Sequence, residues 1–183
     1  MSTLVILIAV AITLAALALA IASRRITTAW FRFGGQRLVI CPEDKHPAGV
    51  LVNRNHAALT AWGGHPDLQL SGCSHWPDRT GCGQTCVAQI EAAPHDCLVR
   101  TILARWYEGK CCVSCGRPVD EFYWLGGLPA LLVSDDGVRD WSEVPIEQLP
   151  DTLKTARAIC FNCYSKGESR RLHLALPSQP HVG

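Results

Sequence analysis

Four cysteines, arranged as two closely spaced pairs, are the residues of this chain best suited to chemistry. Two residues separate the cysteines of each pair, and about 44 residues separate the pairs. Two thiolates from each pair can complete the tetrahedral coordination of one metal ion. Gly116, directly after the first pair, allows the backbone to turn beneath the metal. We therefore predict a closed structural zinc site, with the ligands Cys112, Cys115, Cys160 and Cys163.

A second group of cysteines lies in the first half of the chain. Cys82 and Cys86 are four residues apart and would share one face of a helix. Gly81 and Gly83 would let the backbone approach an inorganic cluster. The spacings match neither a common iron–sulfur sequence nor a zinc finger, so a second metal or cluster site and a set of reduced core thiols both stay open. The candidate ligands are Cys73, Cys82, Cys86 and Cys97, with Cys41 and His75 in reserve.

The N-terminal segment is apolar over nearly the length that a helix needs to cross a bilayer. Only Thr13 interrupts the apolar residues from Leu4 to Ala22. A cleaved secretory signal is the alternative, because residues 20–22 resemble a cleavage site. Such signals begin with basic residues, however, and no Lys or Arg precedes this segment. We therefore predict a short N-terminus at 1–3 and a retained transmembrane helix over residues 4–23.

Basic residues directly after this segment predict its orientation. Arg24, Arg25, Arg32 and Arg37 lie on its C-terminal side, so the positive-inside rule leaves the N-terminus outside and the rest of the chain in the cytoplasm. Aromatic residues between these arginines, in the juxtamembrane segment 24–36, suit the headgroup region of a bilayer. Thiols persist in a reducing cytoplasm and can bind metal, whereas an external location would favour disulfides.

The whole pattern predicts an α+β protein: one N-terminal transmembrane helix, then a small cysteine-rich, metal-stabilised domain with short antiparallel strands and two or three helices. The best-defined helix covers residues 96–108, where apolar residues recur at helical spacing and Gly109 can end the helix. The Asp-Gly at 136–137 predicts a β-hairpin. The expected strands are 37–41, 48–53, 68–70, 122–124, 131–133 and 138–141. The other expected segments are a helical turn at 56–62, helices at 82–93 and 164–174, and a connection at 146–155. We group them as a cysteine-containing region at 37–109, a second cysteine-containing region at 110–174 and a flexible tail at 175–183.

The C-terminal region resembles the zinc-ribbon and treble-clef class of metal-binding domains. The resemblance covers residues 111–174 only and rests on a Cys-x-x-Cys turn, or knuckle, followed by strands with a hairpin, a second knuckle and a helix. It implies that Cys112, Cys115, Cys160 and Cys163 hold zinc, whereas Cys111 cannot give the same spacing and is a spare thiol. These motifs are specific for metal ligation and not for one function.

Composition and motifs also narrow the function. The net charge is +1 and the basic residues after Arg37 are scattered, which does not match the charge pattern of a nucleic-acid-binding protein. The seven histidines form neither a His-Glu-x-x-His motif nor a haem site, and no set of nucleophile, base and orienting group is visible. A Cys97 thiol activated by a histidine is the remaining enzymatic interpretation, and no small-molecule substrate is identifiable.

We therefore expect a non-catalytic, single-pass protein of the cytoplasmic membrane that serves interaction or assembly. Its expected partners are the lipid bilayer and another membrane or cytoplasmic protein. Two alternatives stay open: a membrane-tethered iron–sulfur protein for electron transfer, and an external domain stabilised by disulfides.

Overall fold

The computed structural model describes residues 2–76, 78, 81–119, 131–134 and 137–166. Helices and short antiparallel strands alternate along these residues. Contacts divide the chain into two compact units, unit 1 (Met1–Val99) and unit 2 (Arg100–Gly183). The predicted strand at 122–124, the hairpin turn at 135–136, the end of the last helix beyond 166 and the tail at 175–183 fall outside the described residues.

The first helix, α1 (Ser2–Arg32), is longer than the predicted segment of 4–23. No Gly or Pro follows within the helix before Gly34, so nothing in the backbone stops it at residue 23. Thr27 also fits into the helix, because its hydroxyl donates to the carbonyl of Ser23 one turn earlier. The basic residues that we assigned to a separate juxtamembrane segment are therefore largely helical.

The two ends of α1 differ in their surroundings. Its apolar N-terminal part is uncovered, with Leu7 67% and Leu14 61% exposed. By length and composition this part can cross a membrane. Near the other end Ala29 and Phe33 are buried in the core of unit 1. The helix is thus an uncovered apolar rod whose C-terminal end belongs to a folded unit.

A three-stranded antiparallel sheet, in the order β1–β2–β3, forms much of unit 1. The strands are β1 (Gln36–Ile40), β2 (Pro47–Val52) and β3 (Leu70–Cys73). The first two agree with the predicted strands within one residue. The third begins later than residue 68, because the register between β2 and β3 shifts at Leu51/Val52 and pairing starts only at Leu70.

Helix α2 (Arg54–Thr60) follows β2 in the chain and packs against α1. The Asn53 side chain caps the helix by accepting from the N–H of His56. The chain continues as a short 3₁₀ turn that ends at Gly64, whose φ is +105°. This confirms the predicted helical turn. Arg54 stacks over the Trp30 ring at 4.1 Å and fixes α2 against α1.

Two predicted helices begin later than expected. The helix predicted from residue 82 is α3 (Val87–Ala92), because Gln84 has a φ of +54° and breaks the helical path. The helix predicted from residue 96 is α4 (Val99–Tyr107). Its start is displaced because Leu98 pairs with Arg37 in an isolated β-bridge. Gly109, with a φ of +68°, lies just past the end of α4, as predicted.

Unit 2 contains a second small sheet. The predicted hairpin strands are present as β4 (Leu131–Ser134) and β5 (Gly137–Asp140), and β6 (Arg157–Ala158) pairs with the other edge of β4. The expected connection at 146–155 contains a helix, α5 (Leu149–Thr155). A proline in the first turn of a helix costs little, because the N–H it lacks has no intrahelical partner there. Residues 161–166 form a last helical turn, α6, which begins three residues before the helix predicted at 164–174.

Arg37 closes the C-terminal end of α1. This side chain is fully buried, and its guanidinium donates to the carbonyl oxygens of Arg32 at 2.7 Å, Phe33 at 3.0 Å and Gly35 at 3.1 Å. Carbonyls at a helix C-terminus lack intrahelical partners and carry partial negative charge. One cation on β1 therefore satisfies the end of α1 and fixes the angle at which the sheet leaves the helix.

Replacing Arg37 by Met should destabilise unit 1 by about 3 kcal/mol, because the buried carbonyls lose a charged donor that an apolar side chain cannot replace. Hydrogen-exchange mass spectrometry of the full-length protein in detergent should show about 100-fold less protection of the β1 and β2 amides. Arg100→Met, at an exposed position, is the matched control and should change stability by less than about 0.5 kcal/mol. Unchanged protection in Arg37→Met would refute this role.

Candidate metal centre

Four thiols of unit 2 converge on one point. The sulfur atoms of Cys112, Cys115, Cys160 and Cys163 all lie within 4.8 Å of one another, and Cys115 Sγ is 3.7 Å from Cys160 Sγ. Sulfurs bound to one tetrahedral zinc ion at about 2.3 Å would be about 3.8 Å apart. The cluster predicted from the sequence therefore has the dimensions of a four-thiolate metal site.

The first knuckle is a tight turn whose shape depends on Gly116. Cys112 begins the turn, and its carbonyl accepts from the Gly116 N–H at 2.9 Å while its N–H donates to the Arg117 carbonyl at 2.8 Å. Gly116 has a φ of +70°, which a residue with a side chain adopts only with strain. The turn therefore brings Cys115 back over Cys112.

The second knuckle joins β6 to α6. Cys160 follows β6, and the N–H groups of Cys163 and Tyr164 both donate to its carbonyl at 3.1 Å, which starts the helical turn. Hydrogen bonds also link the two knuckles directly. The Cys160 N–H donates to the Cys112 sulfur at 3.3 Å, and the Val113 N–H donates to the Ala158 carbonyl at 2.8 Å. The sheet and both turns thus hold the four sulfurs together.

Backbone N–H groups favour the thiolate form of Cys112. Burial alone raises the pKa of this thiol, but hydrogen bonds from the N–H groups of Cys160, Cys115 and Ser114 outweigh burial and lower the pKa to about 6. Burial raises the pKa of Cys160 to about 12, even though the Cys163 N–H acts in the opposite direction. Cys112 is thus ready to bind a cation, and a metal that also binds Cys160 must displace its proton.

This set of donors suits a soft or borderline cation held for structure. Four thiolates fill a tetrahedral coordination sphere and leave no position for a substrate or an activated water. Thiolates bind zinc and cluster iron alike, so the donor set by itself does not identify the metal. Cys111 lies next to this centre in sequence, but it pairs with Pro118 in a β-bridge and is exposed.

In unit 1 the structure groups the two reserve candidates, Cys41 and His75, with Asp44, which we did not predict. The Cys41 sulfur, an Asp44 carboxylate oxygen and a His75 ring nitrogen lie within 4.8 Å of one another. Burial raises the pKa of Cys86 to about 11, and repulsion from the thiols of Cys82, Cys73 and Cys41 adds to the effect. Cys41, a reserve candidate in the sequence, therefore lies among the main candidates.

Cys97 lies in different surroundings. Its thiol donates to the carbonyl of Ala93 at 3.3 Å. Burial raises the pKa of Cys97, whereas the positive charge and a hydrogen bond from Arg37 lower it. Cys97 also precedes α4 and does not occupy its first turn. Its surroundings are those of a thiol packed beside the end of α1.

Asp44 is the one side chain of these groups that the sequence analysis missed. Its signal was present, because Cys41 and Asp44 have the same spacing as the cysteines of a Cys-x-x-Cys pair. Cys82 and Cys86 do not share a helix face, since only Cys86 adjoins α3.

Comparisons of the chain with protein-family models, with curated proteins and with solved structures found no match. The resemblance to zinc-ribbon and treble-clef domains therefore rests on the two knuckles and the strands between them.

Replacing Cys115 by Ser should remove one equivalent of bound metal per chain and unfold the C-terminal unit. The reason is that ligation of a structural zinc contributes about 10 kcal/mol or more to the folding of a small domain. Metal analysis together with hydrogen exchange of the β6 and α5 amides measures both effects. Cys111→Ser, at an exposed neighbouring thiol, should keep the metal and the protection. Retention of both in Cys115→Ser would contradict a metal site here.

Proposed function

We propose that this protein is a single-pass, cytoplasm-facing membrane protein whose C-terminal unit is held by a four-cysteine zinc centre and serves as a non-catalytic interaction or assembly module. The observation that carries the proposal is the combination of an uncovered apolar helix with a closed cluster of four thiols in one chain. The helix would hold the protein at the membrane, and the metal would make the small C-terminal unit rigid.

The exposure of α1 supports the anchor. Apolar side chains point outward on every side of the helix; Leu4, Leu7, Leu14 and Leu19 are each more than half exposed. A contiguous apolar surface of this size is unusual on a protein surface in water. In a bilayer the same residues would be buried in hydrocarbon, and the helix would satisfy its own backbone hydrogen bonds.

Charges and aromatic rings at the end of α1 support the orientation. A cavity of about 400 Å³ in unit 1 is lined by Arg24, Arg25 and Arg32, together with residues of the turn after α2. Phe31 is 71% and Trp62 is 62% exposed. Arginines and aromatic rings directly after an apolar segment suit the headgroups of the cytoplasmic leaflet. The lipid bilayer is therefore the first partner that we propose.

Zinc is the metal that we propose for the four-cysteine centre. Zinc has no preference for another geometry, and four thiolates are a common set for its structural sites. A reducing cytoplasm would also keep these thiols free of disulfides. The absence of an open coordination position favours a structural role over catalysis.

The surface beside the metal supports an interaction role. Val113 and Phe161 each follow the first cysteine of a knuckle, and they are 46% and 41% exposed. The two knuckles thus present one apolar side chain each, held rigidly by the thiol cluster. We propose that this pair contacts another membrane or cytoplasmic protein.

The side of the membrane on which the C-terminus lies tests the proposed anchor and its orientation. A reporter that is active only in the cytoplasm should be active when it is fused after Gly183. The mass of the purified protein should show that its first 22 residues are retained. Changing Arg24, Arg25 and Arg32 to Gln, with three lysines inserted after Met1, should move the reporter outside, because flanking basic residues set orientation.

Exposed arginines of unit 2, far from α1 in sequence, supply the matched control. The same change to Gln at Arg100, Arg117 and Arg157 should leave the reporter in the cytoplasm. A cleaved N-terminus, or an external reporter in the wild-type protein, would overturn the anchor.

For the interaction role, Val113→Ser with Phe161→Ser should keep metal and topology but lose the complexes detected by cross-linking in cells. Unchanged complexes would refute the proposed contact surface.

A further inference from the structure

The turn between β1 and β2 has the backbone hydrogen bonds of a metal-binding knuckle. The carbonyl of Cys41 accepts from the Lys45 N–H at 2.9 Å, and the Cys41 N–H donates to the His46 carbonyl at 2.9 Å. In the first knuckle of unit 2, the carbonyl and the N–H of Cys112 bond in the same way to the residues four and five positions later, at 2.9 and 2.8 Å. The two turns therefore share one hydrogen-bond pattern, although only the turn in unit 2 contains a pair of cysteines.

Asp44 occupies the position at which the first knuckle has its second cysteine. Two residues separate Cys41 from Asp44, as they separate the cysteines of that knuckle. The following residue has a positive φ in both turns, +64° at Lys45 and +70° at Gly116. A lysine adopts such a φ only at a cost, because its Cβ crowds the backbone. The turn thus brings a carboxylate beside the Cys41 thiol, where the knuckle of unit 2 has a second thiol.

The pairing of β2 with β3 brings a histidine to this turn. Cys73, the last residue of β3, lies opposite Val50. Ser74 continues the pairing, because its N–H donates to the Gly49 carbonyl at 2.8 Å and its hydroxyl accepts from the Gly49 N–H at 3.1 Å. The chain after β3 therefore runs towards the start of β2, where the turn ends, and His75 reaches the turn in this way.

The side chains of Cys41, Asp44 and His75 converge at the edge of the core of unit 1. Their sulfur, oxygen and nitrogen atoms all lie within 4.8 Å of one another. Cys41 is buried in that core, whereas the side chains of Asp44 and His75 are each about one-fifth exposed. The group therefore has one side in the core and another that solvent can reach.

Distances within the group fit a shared metal ion better than a hydrogen bond. Asp44 Oδ2 lies 3.4 Å from His75 Nδ1. In another histidine–aspartate pair of unit 1, His56 Nε2 lies 2.7 Å from Asp67 Oδ2, which is a hydrogen-bond distance. Oxygen and nitrogen ligands of one tetrahedral zinc ion, each about 2.0–2.1 Å from the metal, would be about 3.3 Å apart. The second oxygen, Asp44 Oδ1, accepts from the His46 N–H at 3.0 Å and so holds the carboxylate in place.

We propose that Cys41, Asp44 and His75 bind a second zinc ion, whose fourth coordination position is open to solvent. Zinc accepts sulfur, nitrogen and oxygen donors, and three protein ligands leave it one position for water or another ligand. Cluster iron is held mainly by thiolates, and magnesium and calcium take oxygen ligands, so this mixed set disfavours both. Neither the membrane anchor nor the four-cysteine centre is needed for this site.

The two centres should differ in how they hold zinc. Four thiolates enclose the ion in unit 2, whereas one thiolate and two partly exposed donors would hold it in unit 1. We therefore expect the zinc of unit 1 to bind more weakly and to accept an added ligand, such as imidazole, in its open position.

Metal counting in the full-length protein tests this site. The protein is purified in detergent without oxygen, loaded with zinc and analysed by native mass spectrometry. The wild-type chain should bind two equivalents. Asp44→Asn and His75→Gln should each bind one at the same zinc concentration, because even a residue that only orients a metal ligand contributes about 10- to 100-fold to affinity. Asparagine keeps an acceptor for the His46 N–H, so the turn should persist.

His56→Gln is the matched control, because it changes another histidine–aspartate pair of the same unit, and it should keep two equivalents. Hydrogen exchange of the β1 and α2 amides should show that unit 1 stays folded in all three variants. Cys115→Ser should lose the zinc of unit 2 and keep that of unit 1, so failure of one centre is distinguishable from failure of the other.

Cobalt in place of zinc reports the open position. The difference between the cobalt spectra of the wild-type chain and His75→Gln should show charge transfer from one thiolate, and it should shift when imidazole is added. The site is refuted if Asp44→Asn and His75→Gln bind as much zinc as the wild-type chain, or if His56→Gln loses as much as His75→Gln. A difference spectrum that does not respond to imidazole would overturn the open position, and tightly bound iron or copper that His75→Gln loses would overturn zinc.

Discussion

The convergence of four thiols is the constraint on which unit 2 depends. Cys112 and Cys160 are 48 residues apart in sequence, yet the backbone N–H of one donates to the sulfur of the other. As thiolates, four sulfurs within 4.8 Å would repel one another. As thiols they would gain little from burial, because only Cys112 is buried. A bound cation would remove this conflict and would cross-link the two knuckles. Few side chains among the described residues of unit 2 are fully buried, such as Leu103, Tyr107 and Leu149, so a small core is the other source of stability in this unit.

Unit 1 is organised differently, around the end of a helix. The guanidinium of Arg37 donates to the last carbonyls of α1, and the same residue is the second of β1. Helix α2 and the 3₁₀ turn after it pack against α1, and Ala29 and Phe33 belong to the same core as residues of the sheet. A helix that can cross a membrane therefore continues without a flexible joint into the folded unit, so the direction of the helix and the direction of the sheet are coupled.

Local signals explain what could be predicted from the sequence. The cysteine pairs, the apolar length of the first helix, the two hairpin strands and the glycine stop at Gly109 all depend on neighbouring residues, and the structure agrees with them. Tertiary contacts explain what was missed. α4 starts late because Leu98 pairs with β1. The spacing of Cys41 and Asp44 is visible in the sequence. The position of His75 beside them depends on how the sheet folds, and no spacing in the sequence carries that information.

The central claim is that thiolates of this chain hold zinc, and X-ray absorption at the zinc edge of the full-length protein, purified without oxygen, tests it most directly. The account predicts tightly bound zinc whose neighbours are predominantly sulfur at about 2.3 Å. A protein without bound metal and with its cysteines in disulfides, or zinc surrounded only by oxygen and nitrogen, would contradict it.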